Sequence, residues 1–374
     1  MKILKSALLL VFVPLLLGYL TLKTLFKSKR YRGDMREGQW YELRPKGLRN
    51  SMVRGSPFYA RKGSNKKLIV YFCGGGMSWS EESAARPMSI LRTALGSAAY
   101  YTGKVYGFMR VFFTGILARK PQNPFKDWNV VYIPYVTGDF YLGNNAFPYK
   151  SLAGRRKTLY HIGESNTRVI MDGCKKLFPE AEALFVCGDS AGAFGAAGNA
   201  PLVAEYYPNL PVTVYSDASQ ITVPIWRGIA GGVWRVNPEI LEKIDDSGDL
   251  YYNLISYSHA KMGGRAVFLR SNTIYDDIIS RFTNKLRGGG LEATPESTAY
   301  CYESLKASEE RLAASGLPYY SFVTAHNKNP KTGLTQHTMM RSETAYYYKD
   351  DVGIALCQWL INAVNGKRET LSTR

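Results

Sequence analysis

The sequence predicts an α/β fold, a mostly parallel sheet with helices on both faces, and three observations carry that prediction. Short apolar runs, each long enough for one strand, alternate with segments of helical periodicity along most of the chain. The runs KKLIVYF (66–72) and NVVYIPYV (129–136) are continuously apolar in their cores, as strands buried on both faces require. Between them in importance stands ALFVCGDSAGAFGAA (183–197), which reads as strand, tight turn and helix around Gly188-Asp189-Ser190-Ala191-Gly192. Gly188 and Gly192 fit that reading, because a side chain at either place would crowd strand against helix. Gly195, Ala196 and Ala197 would let the helix lie close on the sheet.

The elements follow in order. Residues 6–22 are 17 positions without a charge, dominated by Leu and Val. As a helix they would span about 25 Å, the short end of what crosses a bilayer. Lys2 and Lys5 precede them, and Lys23, Lys27, Lys29 and Arg30 follow with no convincing A-x-A cleavage site. The expectation is a single-pass amino-terminal membrane anchor with its basic flank (1–32), ahead of one domain (33–374). Its basic carboxyl flank would keep that domain cytoplasmic. Secretion after signal-peptide cleavage is the alternative. QWYELRP (39–45) and SPFYARKG (56–63) read as two antiparallel strands. KKLIVYF is the first central strand and ends on Gly74-Gly75-Gly76, where backbone amides can approach a ligand closely. Residues 78–128 form a first insertion, in which 97–117 reads as a helical cap. NVVYIPYV is the next strand, and 161–177 is helical. The elbow helix should stop near Pro208. VTVYSDAS (212–219) is a strand, and 219–262 is a second insertion or lid. RAVFLRSN (265–272) and YYSFVTA (319–325) are the last strands, and a helix over 351–364 closes the chain.

Composition narrows the partners. Of 374 residues 45% are hydrophobic and 21% charged, an ordinary globular balance. Lys plus Arg is 48 against 30 Asp plus Glu, a net charge of +18. Seven of the basic residues lie in the first 32, so the rest still sets 41 basic against 30 acidic. That excess suits an anionic lipid surface or an acidic polysaccharide. No zinc finger, basic zipper or RNP motif is present, which argues against nucleic acid. Five scattered cysteines (Cys73, Cys174, Cys187, Cys301, Cys357) form neither a C-x-x-C pair nor a Cys/His cluster, so neither a disulfide framework nor a metal is indicated.

The chemistry centres on Ser190. A G-x-S-x-G turn between strand and helix is a nucleophile elbow, which holds a serine hydroxyl clear of the backbone. Serine is a poor nucleophile at neutral pH and needs a base within hydrogen-bond reach, steered by a carboxylate. On α/β-hydrolase-like sheets the chain order is Ser, then Asp or Glu, then His. Only four histidines exist, and His161 and His259 come too early. His326 and His337 both follow the last strand, with His337 slightly favoured by reach. For the acid, Asp276 and Asp277 end the later strand and are preferred to Asp217, which also suits a turn or cap.

Five stretches together resemble the pectinacetylesterase family. YFCGGGMSW is similar to its strand and glycine turn, and NPFKDWNVVYIPYVTGD (123–139) to its N-P-F, W and P-Y-C-T-G-D segment. GDSAG resembles its G-x-S-A-G elbow and NTIYDD (272–277) its N-A-A-Y-D-S, while HIGESN (161–166) resembles its H-x-G-x-x-N. The resemblance runs from about 39 to 340. It implies Ser190 as nucleophile, Asp276 as acid and His337 as base. It also implies backbone donors at Gly75, Gly76, Met77 and Ala191 for an oxyanion hole. Met77 stands where the family has Trp, and Ser78 and Val136 stand where it has Cys. The activity implied is a serine esterase that needs no cofactor and takes an O-acyl ester, foremost O-acetyl on a carbohydrate. A deacylase of longer chains on protein or lipid, and a membrane-tethered binding protein without turnover, are the alternatives.

Overall fold

The structure, a computed structural model, describes residues 15, 28–89, 92, 95, 97–106, 114–349 and 351–373. The anchor expected at 6–22 therefore lies outside the described residues apart from residue 15. Among the described residues no helix is long and apolar enough to cross a membrane.

Ten strands form one sheet: β1 (Ser28–Arg30), β2 (Trp40–Leu43), β3 (Phe58–Arg61), β4 (Lys67–Phe72), β5 (Asn129–Ile133), β8 (Ala183–Asp189), β9 (Val212–Asp217), β10 (Ala266–Thr273), β11 (Tyr319–Thr324) and β12 (Leu371–Ser372). Their order is β1-β2-β3-β5-β4-β8-β9-β10-β11-β12. Every neighbouring pair is parallel except β2–β3 and β3–β5, so β3 alone runs backwards. The crossovers that parallel pairs require put helices on both faces. The period of two in β4 shows the result. Leu68, Val70 and Phe72 join the core on one face, and Ile69, Tyr71 and Cys73 join the core on the other.

On the first face lie α2 (Gly163–Leu177), α3 (Ala191–Glu205) and α5 (Leu250–Met262). The second face is covered by α8 (Glu343–Tyr347) and α9 (Leu356–Val364), through Tyr346, Trp359 and Leu360. α3 is built for closeness. Ala193, Ala196, Ala197 and Ala200 are all 0% exposed. At its start the approach is at its limit. A Cβ on Gly192 would stand 2.0 Å from the Phe72 carbonyl oxygen, and one on Gly188 2.0 Å from that of Gly192.

Several expectations need correction. The 97–117 stretch is not a helical cap where it is described. Residues 97–106 are irregular, and 115–117 make one 3₁₀ turn. Its backbone is instead drawn into an antiparallel bridge between Gly76 and Tyr101, with Met77 N–H donating to Tyr100 O (2.8 Å) and Thr102 N–H to Gly75 O (2.8 Å). The second insertion is no detached lid. Trp226, Trp234 and Leu254 belong to the main core, and α5 is the crossover helix between β9 and β10. A hairpin of β6 (Asn145–Lys150) and β7 (Arg156–His161) was not anticipated, and it delivers His161 to the start of α2.

Gly192→Ala is expected to destabilise the fold by about 3 kcal/mol or more, because the contact is with backbone that cannot swing aside. A thermal melt of the variant beside wild type measures it.

Candidate active site

Ser190 joins the end of β8 to the first turn of α3, and its backbone is strained, with φ 55° and ψ −124°. A non-glycine residue there costs on the order of 1–3 kcal/mol and persists only where its surroundings dictate it. The two glycine contacts and the bond from Ser190 N–H to Asp217 O (2.8 Å) do the dictating. A serine at a helix N-cap ordinarily bonds the helix amides. Ser190 makes no such side-chain bond, so its hydroxyl is left for chemistry.

The carboxylate and imidazole expected as its partners meet each other. His337 Nδ1 lies 2.7 Å from Asp276 Oδ2 and 2.9 Å from Oδ1, with side chains 17% and 7% exposed. Nδ1–H donates to the carboxylate, which fixes the tautomer and leaves Nε2 as the ring's acceptor. Asp276 is itself held as the N-cap of α6 (Asp277–Leu286), accepting from Ile279 N–H at 3.0 Å. The loop that carries His337 is fastened to the strand end that carries Asp276. Thr335 N–H donates to Tyr275 O (2.8 Å), and Thr273 Oγ1 donates to Gln336 O (2.7 Å). Burial alone would lower the His337 pKa. The adjacent Asp276 outweighs it, with Asp217 and Asp189 adding negative charge, and the pKa ends above 6.5.

The rejected candidates have other employment. Asp277 pairs with Arg281 at 2.8 Å on the surface of α6. His326 donates its N–H to Thr324 Oγ1. His161 is fully buried against Thr137 O, and burial pushes its pKa down. Ser190 Oγ and His337 make no hydrogen bond to one another; Asp217 accepts the Ser190 backbone N–H on one side and the Met339 and Met340 amides on the other. Catalytic contacts of this kind are often long in a ligand-free site and tighten around substrate.

Met77 is a correction within the expected donor set. Its N–H is committed to Tyr100 O, because residues 75–77 pair with 100–102 and amides in such a bridge alternate in direction. Gly75, Gly76 and Ala191 keep amides that no described hydrogen bond engages. Gly76 and Ala191 also line a notch beside Ser190, with Met77, Phe140, Phe194, Ile221, Ile278, Ile279 and Phe282 as its apolar walls.

Two buried carboxylates flank Ser190, and only one had been noticed in sequence, as a turn or capping residue. Asp189 accepts from Tyr71 Oη–H (2.6 Å) and from Gly74 N–H (3.0 Å), which pins the glycine turn. Asp217 accepts from Ser271 Oγ–H (2.7 Å), Met339 N–H (2.7 Å) and Met340 N–H (2.8 Å). Burial pushes the Asp217 pKa up to about 6. The half-buried Arg341 sits beside Tyr71, Cys73 and Asp189 and stays firmly charged. Asp189 could have been suspected from an acid placed inside the elbow motif; nothing marked Tyr71 or Arg341. All five cysteines are free and buried, and no group of His, Cys, Asp and Glu among the described residues could hold a metal ion.

Comparison with known proteins bears on the family and the fold. Residues 55–220 match the family described as Pectinacetylesterase. No curated protein matches the chain. Two crystal forms of the Wnt deacylase Notum from Drosophila share its architecture. One gives a TM-score of 0.62 at 18% identity, covering 89% of this chain and 95% of that one. The other gives 0.60 at 17%, covering 89% and 96%. At such identities the likeness speaks for the α/β-hydrolase-like fold. The family match spans the glycine turn, the elbow strand and Ser190, and over those residues the chain is similar to the pectinacetylesterases, a family of carboxylic-ester hydrolases.

Proposed function

We propose that the chain is a serine esterase that removes short O-acyl groups, foremost O-acetyl, from a carbohydrate. His337 Nε2 takes the Ser190 proton as Oγ attacks the ester carbonyl, and Asp276 stabilises the imidazolium that forms. The tetrahedral oxyanion is met by the N–H groups of Gly76 and Ala191, with Gly75 behind them. Its collapse expels the alcohol, which His337 protonates, and leaves an acyl-enzyme. Water activated by the same imidazole then releases the acid. No cofactor enters these steps.

The observation that carries the choice of acyl group is the notch. Its cavity volume is about 10 Å³, room for roughly one water-sized group. An acetyl methyl fits there. The floor is stiff: Phe140 and Phe194 stack at 4.6 Å, backed by Trp226 and Trp234. The excess of basic residues favours an acidic glycan as the carrier. We retain residues 6–22 as a membrane tether, with secretion as the alternative. β1 runs parallel to the core strands, so Ser28 enters at the sheet edge opposite Ser190. A tethered domain would then present its catalytic edge away from the bilayer, which suits a glycan better than a bilayer lipid.

A longer acyl chain on protein or lipid is the second reading. It draws on the apolar walls and on Ile278 and Phe282, which are only half-buried. Hydrolysis of p-nitrophenyl acetate against the octanoate separates the two: faster turnover of acetate is expected, and a preference for octanoate overturns the first reading. Ser190→Ala and His337→Ala should each lower kcat by about 10⁴-fold or more, while His326→Ala stays near wild type. A wild-type protein that a serine-reactive fluorophosphonate does not label would be a binding protein, not an esterase. Because the base acts only when neutral, the raised His337 pKa places the acid limb of kcat/KM above pH 6.5. A pH–rate profile with its midpoint below 6.5 contradicts that.

A further inference from the structure

We propose that Asp217 is a positioning residue, whose carboxylate holds the turn at 337–340 in the one conformation that aims the His337 imidazole at Ser190. The inference rests on reading Ser190 and His337 as nucleophile and base.

Asp217 ends β9 in register with Asp189 at the end of β8, so the two carboxylates straddle the elbow. It is 0% exposed. Its carbonyl oxygen accepts Ser190 N–H at 2.8 Å, and its Oδ2 accepts the successive amides of Met339 and Met340 at 2.7 and 2.8 Å. One residue thus grips the nucleophile's backbone with its main chain and the base's loop with its side chain. Backbone strain gathers around it. Ser190 (φ 55°), Ala218 (φ 58°) and Thr338 (φ 60°) are non-glycine residues in left-handed conformations. Each adjoins one of the bonds at Asp217 or, for Ala218, follows it directly and is held by its own N–H to Ser271 O (2.8 Å).

Thr338 is the informative one. It lies between His337 and the two amides, and a β-branched residue holds positive φ only where its surroundings force it. Two adjacent N–H groups converging on one carboxylate oxygen supply that force. Without it both buried amides lose their acceptor, Thr338 relaxes, and the ring beside it turns away. Asp217 does not line the notch, so substrate binding should be spared. Nor is it the triad acid, since His337 Nδ1 is engaged by Asp276.

The carboxylate also acts on His337 through its charge. The titratable groups that interact with it are Asp189 from β8, Cys187 and Tyr215 within the sheet, and His337 itself. The nearby Arg341 cation belongs to the Asp189 side. Replacing Asp217 by a neutral isostere therefore removes negative charge from the surroundings of His337.

In Asp217→Asn, kcat for p-nitrophenyl acetate should fall about 10- to 100-fold, the scale of a roughly 1 Å misplacement, with KM essentially unchanged. The acid limb of kcat/KM should move to lower pH, and amide hydrogen exchange at 339 and 340 should quicken. An unchanged kcat overturns the proposal. So does a loss of kcat that follows a lowered Tm while the acid limb stays in place. Should Asp217→Asn fail to fold, Ser271→Ala removes only the hydroxyl that steadies Oδ1; a partial kcat loss at constant KM supports the brace, and full activity overturns it. A wild-type protein inert to ester and fluorophosphonate sinks the esterase reading alone. Amide exchange in the variant still decides the brace, and unchanged protection at 339 and 340 overturns it.

Discussion

The site depends on one close crossing, that of β8 with the first turn of α3. Gly188 meets the carbonyl of Gly192, and Gly192 meets the last carbonyl of β4, each at a distance that leaves no room for a methyl group. This contact forces the chain to reverse within Ser190 and so takes its hydroxyl out of the capping role that a serine would otherwise fill. It also opens the first amide of α3 toward the same point as the glycine turn after β4. Loosen the crossing, and Ser190 and the glycine-turn amides separate together.

Around that crossing the protein sets two unlike environments. Around Ser190 is a buried polar layer of Asp189, Asp217 and Tyr71, edged by the half-buried Arg341, whose hydrogen bonds run between successive strand ends and the 337–341 loop. Buried groups of this kind are stable only when partnered, and once partnered they tolerate little movement. Beside Ser190 is an apolar notch floored by stacked aromatics. Fixed dipoles against a dry wall are what stabilisation of a developing oxyanion requires, because little has to reorganise as charge appears.

The local patterns were readable in proportion to how strongly they were repeated nearby. The apolar runs of β4, β5 and β8 and the small-residue face of α3 state their burial in their own composition. The hairpin of β6 and β7 did not, since it is largely exposed on one side and carries Pro148 within a strand. The stretch at 97–117 misled for the opposite reason. Its aromatic and apolar residues suggested a helix, but residues 100–102 are held extended by partners at 75–77, which no periodicity within the stretch records. That same pairing removes Met77 from the free donors, an outcome invisible to a comparison of motifs.

By itself, then, the sequence determined eight of the ten strands of the sheet, leaving out only the short edge strands β1 and β12, together with the strand, turn and helix at Ser190 and the types of group that could serve it, because each is written in neighbouring residues. Tertiary structure alone decided which histidine meets which carboxylate, that Asp217 grips the loop instead of orienting the ring, and that Gly76 rather than Met77 keeps its amide open. Those choices are made by hydrogen bonds between residues far apart in the chain, 61 positions for Asp276 and His337 and 122 for Asp217 and Met339. The physical reason is that such a bond forms only after the strands between have paired and brought their ends to a common edge.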